Sequence, residues 1–164
     1  MSELRVFIAD DESPARQRLK ELLADIAAEM PTRVVGEAPN GLETVERAPA
    51  SGAQLVLLDI QMPGMGGLEA ARHLARLPEP PEIVFVTAHD RHAVEAFELN
   101  ALDYLLKPVR AERLVAALRK AQAGGAPARE RLERADARAR EYLAVSVRNR
   151  IVLVPVREIV FLRA

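Results

Sequence analysis

The sequence predicts an α/β fold: a doubly wound, five-stranded parallel sheet with helices on both faces, followed by a short β-rich stretch. Three observations lead there. Short apolar runs alternate with amphipathic stretches over about the first 120 residues, giving five strands and five helices in turn. The run Leu55-Val56-Leu57-Leu58 has no polar alternation, as expected of a strand buried on both faces in mid-sheet. Four of the runs lead into polar residues, Asp10, Asp59, Thr87 and Lys107, at the carboxyl ends of strands, where open α/β sheets bind ligands. Right-handed crossovers leave few threadings, and the order 2-1-3-4-5 is a common one. It sets the first and third strands side by side.

The elements follow in order. Leu4 to Ala9 is the first strand, ending in Asp10-Asp11-Glu12. Ser13-Pro14 starts a helix, with Ser as N-cap and Pro at the first helical position, where a missing N–H costs nothing. Leu19, Leu22, Leu23 and Ile26 repeat at helical spacing to about Glu29, and Pro31 stops the helix. Arg33 to Ala38 is the second strand, Asn40-Gly41 a turn, and Leu42 to Ala48 a weaker helix. Gln54 to Asp59 is the third strand, and three glycines and a proline make Met62 to Gly67 a loop. A helix spans Leu68 to Leu77. Pro78, Pro80 and Pro81 then force a break before the fourth strand, Ile83 to Thr87. Arg91 to Leu99 is helical, Leu102 to Leu106 is the fifth strand, and Ala111 to Ala123 is the fifth helix.

Composition narrows the class. The chain has no cysteine, which excludes disulfides, thiolate metal sites and cysteine nucleophiles. It lacks a run of apolar residues long enough to span a membrane and a signal peptide's basic-then-apolar order, so a cytoplasmic location without membrane attachment is expected. The net charge of −1 hides a division: residues 1–123 carry 14 Lys and Arg against 19 Asp and Glu, and residues 124–164 carry 9 against 5. An acidic body is followed by a basic tail, which points to a polyanionic partner for the tail.

The strand order brings Asp10 and Asp11 beside Asp59 in one crevice. Three close carboxylates repel one another and raise each other's pKa unless a cation sits among them. Oxygen-only ligands with open positions suit Mg²⁺, which keeps several waters and readily binds a phosphate. The fourth strand adds the Thr87 hydroxyl and the fifth adds Lys107. Metal and ammonium can neutralise phosphoryl oxygens, the hydroxyl can donate a hydrogen bond, and one carboxylate is left to attack: the equipment for forming an aspartyl phosphate by in-line transfer. His89 and His92 lack carboxylate partners at ligand spacing and read as surface residues of a loop and helix start.

The blocks Phe7-Ile8-Ala9-Asp10-Asp11-Glu12, Leu57-Leu58-Asp59-Ile60-Gln61-Met62-Pro63-Gly64-Met65-Gly66-Gly67, Val86-Thr87-Ala88 and Tyr104-Leu105-Leu106-Lys107-Pro108 resemble the signature blocks of bacterial two-component response regulator receiver domains. They occur in that family's order and cover residues 1–123. The resemblance implies a flavodoxin-like fold and Asp59 as acceptor of phosphate from a sensor histidine kinase. It places Mg²⁺ on Asp10, Asp11, Asp59 and the Gln61 backbone carbonyl, and the phosphoryl group against Thr87 and Lys107. It also implies a cis Lys107-Pro108 bond and a switch in which Thr87 is drawn toward the phosphate while Tyr104 turns inward from an exposed position. Ala88 is small enough to admit a phosphohistidine donor, and Gln61 and His89 are placed to tune phosphate loss.

After Ala123, Gly124-Gly125-Ala126-Pro127 signals a linker, and 128–141 alternates charges as a solvated helix with a thin apolar seam, a spacer or the start of a dimer contact. The segment 142–164 holds Tyr142 to Val147, an Arg148-Asn149-Arg150 turn, Ile151 to Val156 and a third run at Glu158 to Leu162. The stretch Val145 to Leu162 resembles the opening of a LytTR-type DNA-binding domain, which regulators of the LytR/AlgR family carry after a receiver. The rest of that module is absent, so a truncated protein is expected, with its apolar hairpin pairing as a homodimer or packing on the receiver. The implied function is transcription regulation through DNA, switched by Asp59. Against it stand a stand-alone phosphorelay receiver and an enzyme, an Asp-nucleophile phosphatase. The latter needs an acid/base carboxylate two residues past the nucleophile, where this chain has Gln61.

Overall fold

The computed structural model describes residues 3–124 and the backbone of residues 142–147 and 150–155. In the first of these regions five strands, β1 (Leu4–Ala9), β2 (Thr32–Ala38), β3 (Leu55–Leu58), β4 (Glu82–Thr87) and β5 (Asp103–Leu106), form one parallel sheet in the order β2-β1-β3-β4-β5. Five helices connect and follow them: α1 (Ser13–Asp25), α2 (Gly41–Ala50), α3 (Gly67–Ala75), α4 (Ala93–Glu98) and α5 (Ala111–Gln122). The doubly wound sheet with the predicted strand order is therefore the observed fold.

The unbroken apolar runs are explained by two cores. On β1, Leu4, Val6 and Ile8 face a core completed by Leu19 and Leu23 of α1 and Leu114 and Leu118 of α5. Phe7 and Ala9 face the opposite core, with Ala70 and Leu74 of α3. β3 divides the same way, Leu55 and Leu57 on one side and Val56 and Leu58 on the other, all four with no exposed surface. A strand whose two faces both meet helices has no position for a polar side chain until it leaves the sheet. Each fully buried leucine or phenylalanine contributes roughly 2 kcal/mol, so the central strand cannot be moved without loss on both sides.

Several element ends differ from the sequence expectation, each for a tertiary reason. The N-cap of α1 is Glu12 rather than Ser13, because the Asp10 carboxylate takes the Glu12 amide proton at 2.9 Å and begins the turn a residue early. The helix stops at Asp25 rather than Glu29: Met30 folds back, its amide bonding the Ile26 carbonyl at 2.8 Å and its side chain entering the core. Helix α2 continues past Pro49, whose missing amide falls in the last turn, where Ser51 Oγ also caps the Ala48 carbonyl at 2.6 Å. Helix α4 is shorter than expected, ending at Glu98 ahead of Asn100, which adopts the left-handed φ of 61° that asparagine tolerates.

Strands β6 (Tyr142–Val147) and β7 (Arg150–Pro155) pair antiparallel, Val147 opposite Arg150 and Tyr142 opposite Pro155. The expected hairpin is present, with β7 starting and ending one residue earlier than the sequence suggested. Of the linker expected at 124–141, residues 125–141 lie outside the described residues, as does the run expected at Glu158 to Leu162.

Candidate functional site

The strand ends are tied together by backbone bonds that continue just past the sheet. The Asp10 amide donates to the Ala38 carbonyl (3.1 Å), the Asp59 amide to the Ala9 carbonyl (2.9 Å) and the Lys107 amide to the Thr87 carbonyl (2.8 Å). These bonds fix where β1, β3 and β5 release their polar side chains. One carboxylate oxygen from each of Asp10, Asp11 and Asp59 lies within 4.8 Å of the others. Asp10 is 1% exposed and Asp59 7%, whereas Asp11 is open to solvent. A cleft of about 620 Å³ holds Asp11, Asp59, Gln61, Thr87, Ala88 and Lys107 on its walls.

Lys107 is the ammonium of this cluster. Its Nζ donates to Asp10 Oδ2 at 2.6 Å and to Asp59 Oδ2 at 3.4 Å, crossing from β5 to β1 and β3. Burial alone would depress the Lys107 pKa, but the bond to Asp10 and the charges of Asp59 and Asp10 outweigh it and hold the ammonium above its ordinary value. Burial pushes the Asp59 carboxyl above the usual carboxylate range, and the Asp10 charge adds to this, while Lys107 opposes it. One ammonium does not balance three carboxylates. The donor set, all oxygen with one exposed carboxylate, fits a hard divalent cation such as Mg²⁺.

Thr87 is fully buried at the end of β4, its hydroxyl oxygen facing the His89 amide at 3.4 Å. Tyr104 departs from expectation. Instead of an exposed ring, the structure has a half-buried one, tilted against Phe85 with centroids 6.4 Å apart, its hydroxyl donating to the His89 carbonyl. Burial raises its pKa to about 12. The Lys107-Pro108 peptide is cis. His92 stands apart from the three site aspartates but, contrary to expectation, has a carboxylate near it: Nε2 accepts from Arg91 Nε at 3.2 Å and Nδ1 lies 3.7 Å from Glu95 Oε1.

Some contributors escaped the sequence reading. Glu12, Met62, Pro63 and His89 complete the cleft, and of these the sequence singles out only His89. Gly67 donates its amide to the Ile60 carbonyl at 2.8 Å, and a Cβ there would sit 2.0 Å from the Asp59 carbonyl oxygen. A Cβ on Gly41 would meet the Met65 carbonyl at 2.3 Å. The loop after Asp59 therefore returns over its own backbone and is pinned to the start of α2. The sequence signal is a glycine at the first position of α2 and of α3, which a loop reading counts only as flexibility.

The family model described as the response regulator receiver domain matches residues 6–119. The positive alginate biosynthesis regulatory protein of Pseudomonas aeruginosa is 37% identical over 163 residues, covering 96% of this chain and 64% of that protein. The sensory transduction protein LytT of Bacillus anthracis is 36% identical over 162 residues, covering 96% of this chain and 65% of that protein. The chain thus spans less than two thirds of the length of these two relatives. Among solved structures, the response regulatory domain of mrkE from Klebsiella pneumoniae superposes with a TM-score of 0.67 at 34% identity, covering 74% of this chain and 97% of that one.

Proposed function

This chain belongs to the response regulator receiver domain family, and from that premise we propose that Asp59 accepts a phosphoryl group from a sensor histidine kinase in a two-component system. The observation that carries this reading is the convergence of Asp10, Asp11, Asp59 and Lys107 from the ends of three different strands, with Asp11, Asp59 and Lys107 opening on one cleft and Asp10 buried beside them. Asp10, Asp11, Asp59 and the Gln61 carbonyl would hold Mg²⁺, which when bound supplies positive charge to the oxygens of the transferring group.

Within that frame each side chain has a task. An Asp59 carboxylate oxygen attacks phosphorus, the new P–O bond forms as the P–N bond to the donor imidazole breaks, and the imidazole departs with its electron pair and takes a proton. Attack needs the ionised carboxylate, which Lys107 beside Asp59 favours against the burial that opposes it, and a bound Mg²⁺ would favour it further. Lys107 reaches Asp59 already and would keep one ammonium hydrogen for the phosphoryl group. Thr87 at the wall donates its hydroxyl proton to a phosphoryl oxygen, and Ala88 beside it leaves the entry open. Drawing Thr87 toward Asp59 favours the inward Tyr104 ring seen here, so phosphate would hold in place an arrangement that the unmodified chain can reach.

The output we assign is DNA binding by a homodimer, regulating transcription in the cytoplasm. It is supported by the LytTR-like segment at 142–164, by the hairpin of β6 and β7 and by relatives named as regulatory proteins. No helix among the described residues is long and apolar enough to cross a membrane. Relatives named for regulation and sensory transduction, together with Gln61 in place of an acid/base carboxylate, favour a switch over an enzyme.

The test is intact mass after incubation with Mg²⁺ and acetyl phosphate. Wild type is expected to gain about 80 Da, one phosphoryl group, and Asp59→Ala to gain nothing. Equal gain in both would move the acceptor elsewhere.

A further inference from the structure

Arg16, in the second turn of α1, joins the acidic site to the neighbouring edge strand. Its Nη1 donates to the backbone carbonyl of Asp10 at 2.7 Å, and its Nε donates to Glu37 Oε1 on β2 at 2.9 Å. Lys20, one turn further along α1, donates to the other Glu37 carboxylate oxygen at 2.8 Å. The Glu37 carbonyl accepts from Arg47 Nη1 of α2 at 2.6 Å. The Arg47 bond fixes the Glu37 backbone, and Glu37 Oε1, the oxygen that Lys20 does not use, orients the Arg16 guanidinium toward Asp10. The Arg16 side chain is only 16% exposed, an unusual position for a cation that touches none of the three site carboxylates.

The carbonyl that Arg16 grips belongs to the first residue of the turn carrying the site. Asp10 uses its own Oδ1 to hold the Glu12 amide, and Asp11, the exposed carboxylate, lies between them. Fixing the Asp10 carbonyl and the Glu12 amide fixes the peptide planes on either side of Asp11. We propose that Arg16 is a positioning residue for the divalent cation, presetting the Asp10-Asp11-Glu12 turn so that both aspartates aim at the same ion. This rests on the reading that Asp10, Asp11 and Asp59 hold Mg²⁺. Groups that orient ligands from behind govern metal affinity without touching the metal.

Charge and positioning predict opposite signs. A guanidinium beside an acidic cluster repels Mg²⁺, so its removal should tighten binding if charge alone mattered. Loss of positioning should weaken it. A lysine at 16 would keep the charge but not the planar fork that serves two acceptors at once.

The experiment is calorimetric titration of the full chain with Mg²⁺ at fixed ionic strength, with circular dichroism and denaturant unfolding on the same samples. Arg16→Met and Arg16→Lys should each raise the Mg²⁺ dissociation constant about tenfold, the scale of ligand-orienting groups. Lys20→Met removes a bond to Glu37 and some stability but leaves the Asp10 carbonyl held, and should bind Mg²⁺ as wild type does. If Arg16→Met does not fold, Arg16→Lys decides. Mg²⁺ binding by an Arg16 variant as tight as wild type or tighter overturns the proposal, as does an equal weakening by Lys20→Met. A wild type that takes no Mg²⁺, or an Asp11→Asn variant that binds it equally well, overturns the acidic-site reading itself and the positioning role with it.

Discussion

A methyl group at position 67 would lie 2.0 Å from the Asp59 carbonyl oxygen, a distance that only backbone displacement relieves. Gly67→Ala should therefore cost about 1–3 kcal/mol in denaturant unfolding and slow labelling of Asp59, because the displaced atom belongs to the residue we propose as acceptor. Gly64 provides the contrast: its φ of 71° penalises a side chain by about 1–2 kcal/mol, but nothing lies within 4 Å, so Gly64→Ala should lose stability without losing labelling. Tyr104 gives a second check. Its raised pKa means that the folded state keeps the phenolic proton, so tyrosinate absorbance of wild type and Tyr104→Phe should separate only above about pH 11. Asp10, Asp11, Asp59, Thr87 and Lys107 were legible in the sequence because each follows an apolar run. Arg16 and Gly67 were not, because each is tied to the site through a carbonyl of another residue, and a carbonyl has no letter in the sequence.

At the level of elements, the strands were legible and the helix ends were not. Strands of this sheet have apolar neighbours on both faces, so the whole run is apolar, whereas α1 ends where Met30 must reach the core and starts where Asp10 captures an amide. The joint between α1 and β2 carries its own prediction. Bonds from Lys20 and then Arg16 hold the Glu37 carboxyl below its ordinary 4.5. A depressed pKa stabilises the fold above the unfolded value and is lost as pH falls through the folded one. Wild type should exceed Glu37→Gln in stability at pH 7 by no more than about 1 kcal/mol, since the carboxylate is 36% exposed and solvent screens the pair. The gap should close below pH 4.5. Urea unfolding of both proteins across that range decides it, and a gap that widens in acid would contradict the assignment.

On the scale of the whole molecule, the core residues among the described ones all fall in the span between Leu4 and Ala121. A chain ending at Gly124 should accordingly fold, unfold at the same denaturant midpoint as the longer chain and take phosphate at Asp59, as unfolding curves and intact mass would report. The site is less divisible than the cores. Its ammonium comes from the end of β5 and its best-buried carboxylate from the end of β1, 97 residues earlier. During synthesis the aspartates leave the ribosome long before the lysine that pairs with two of them. The acidic cluster therefore gains its ammonium late, and a nascent copy cannot assemble the complete site until β5 has emerged.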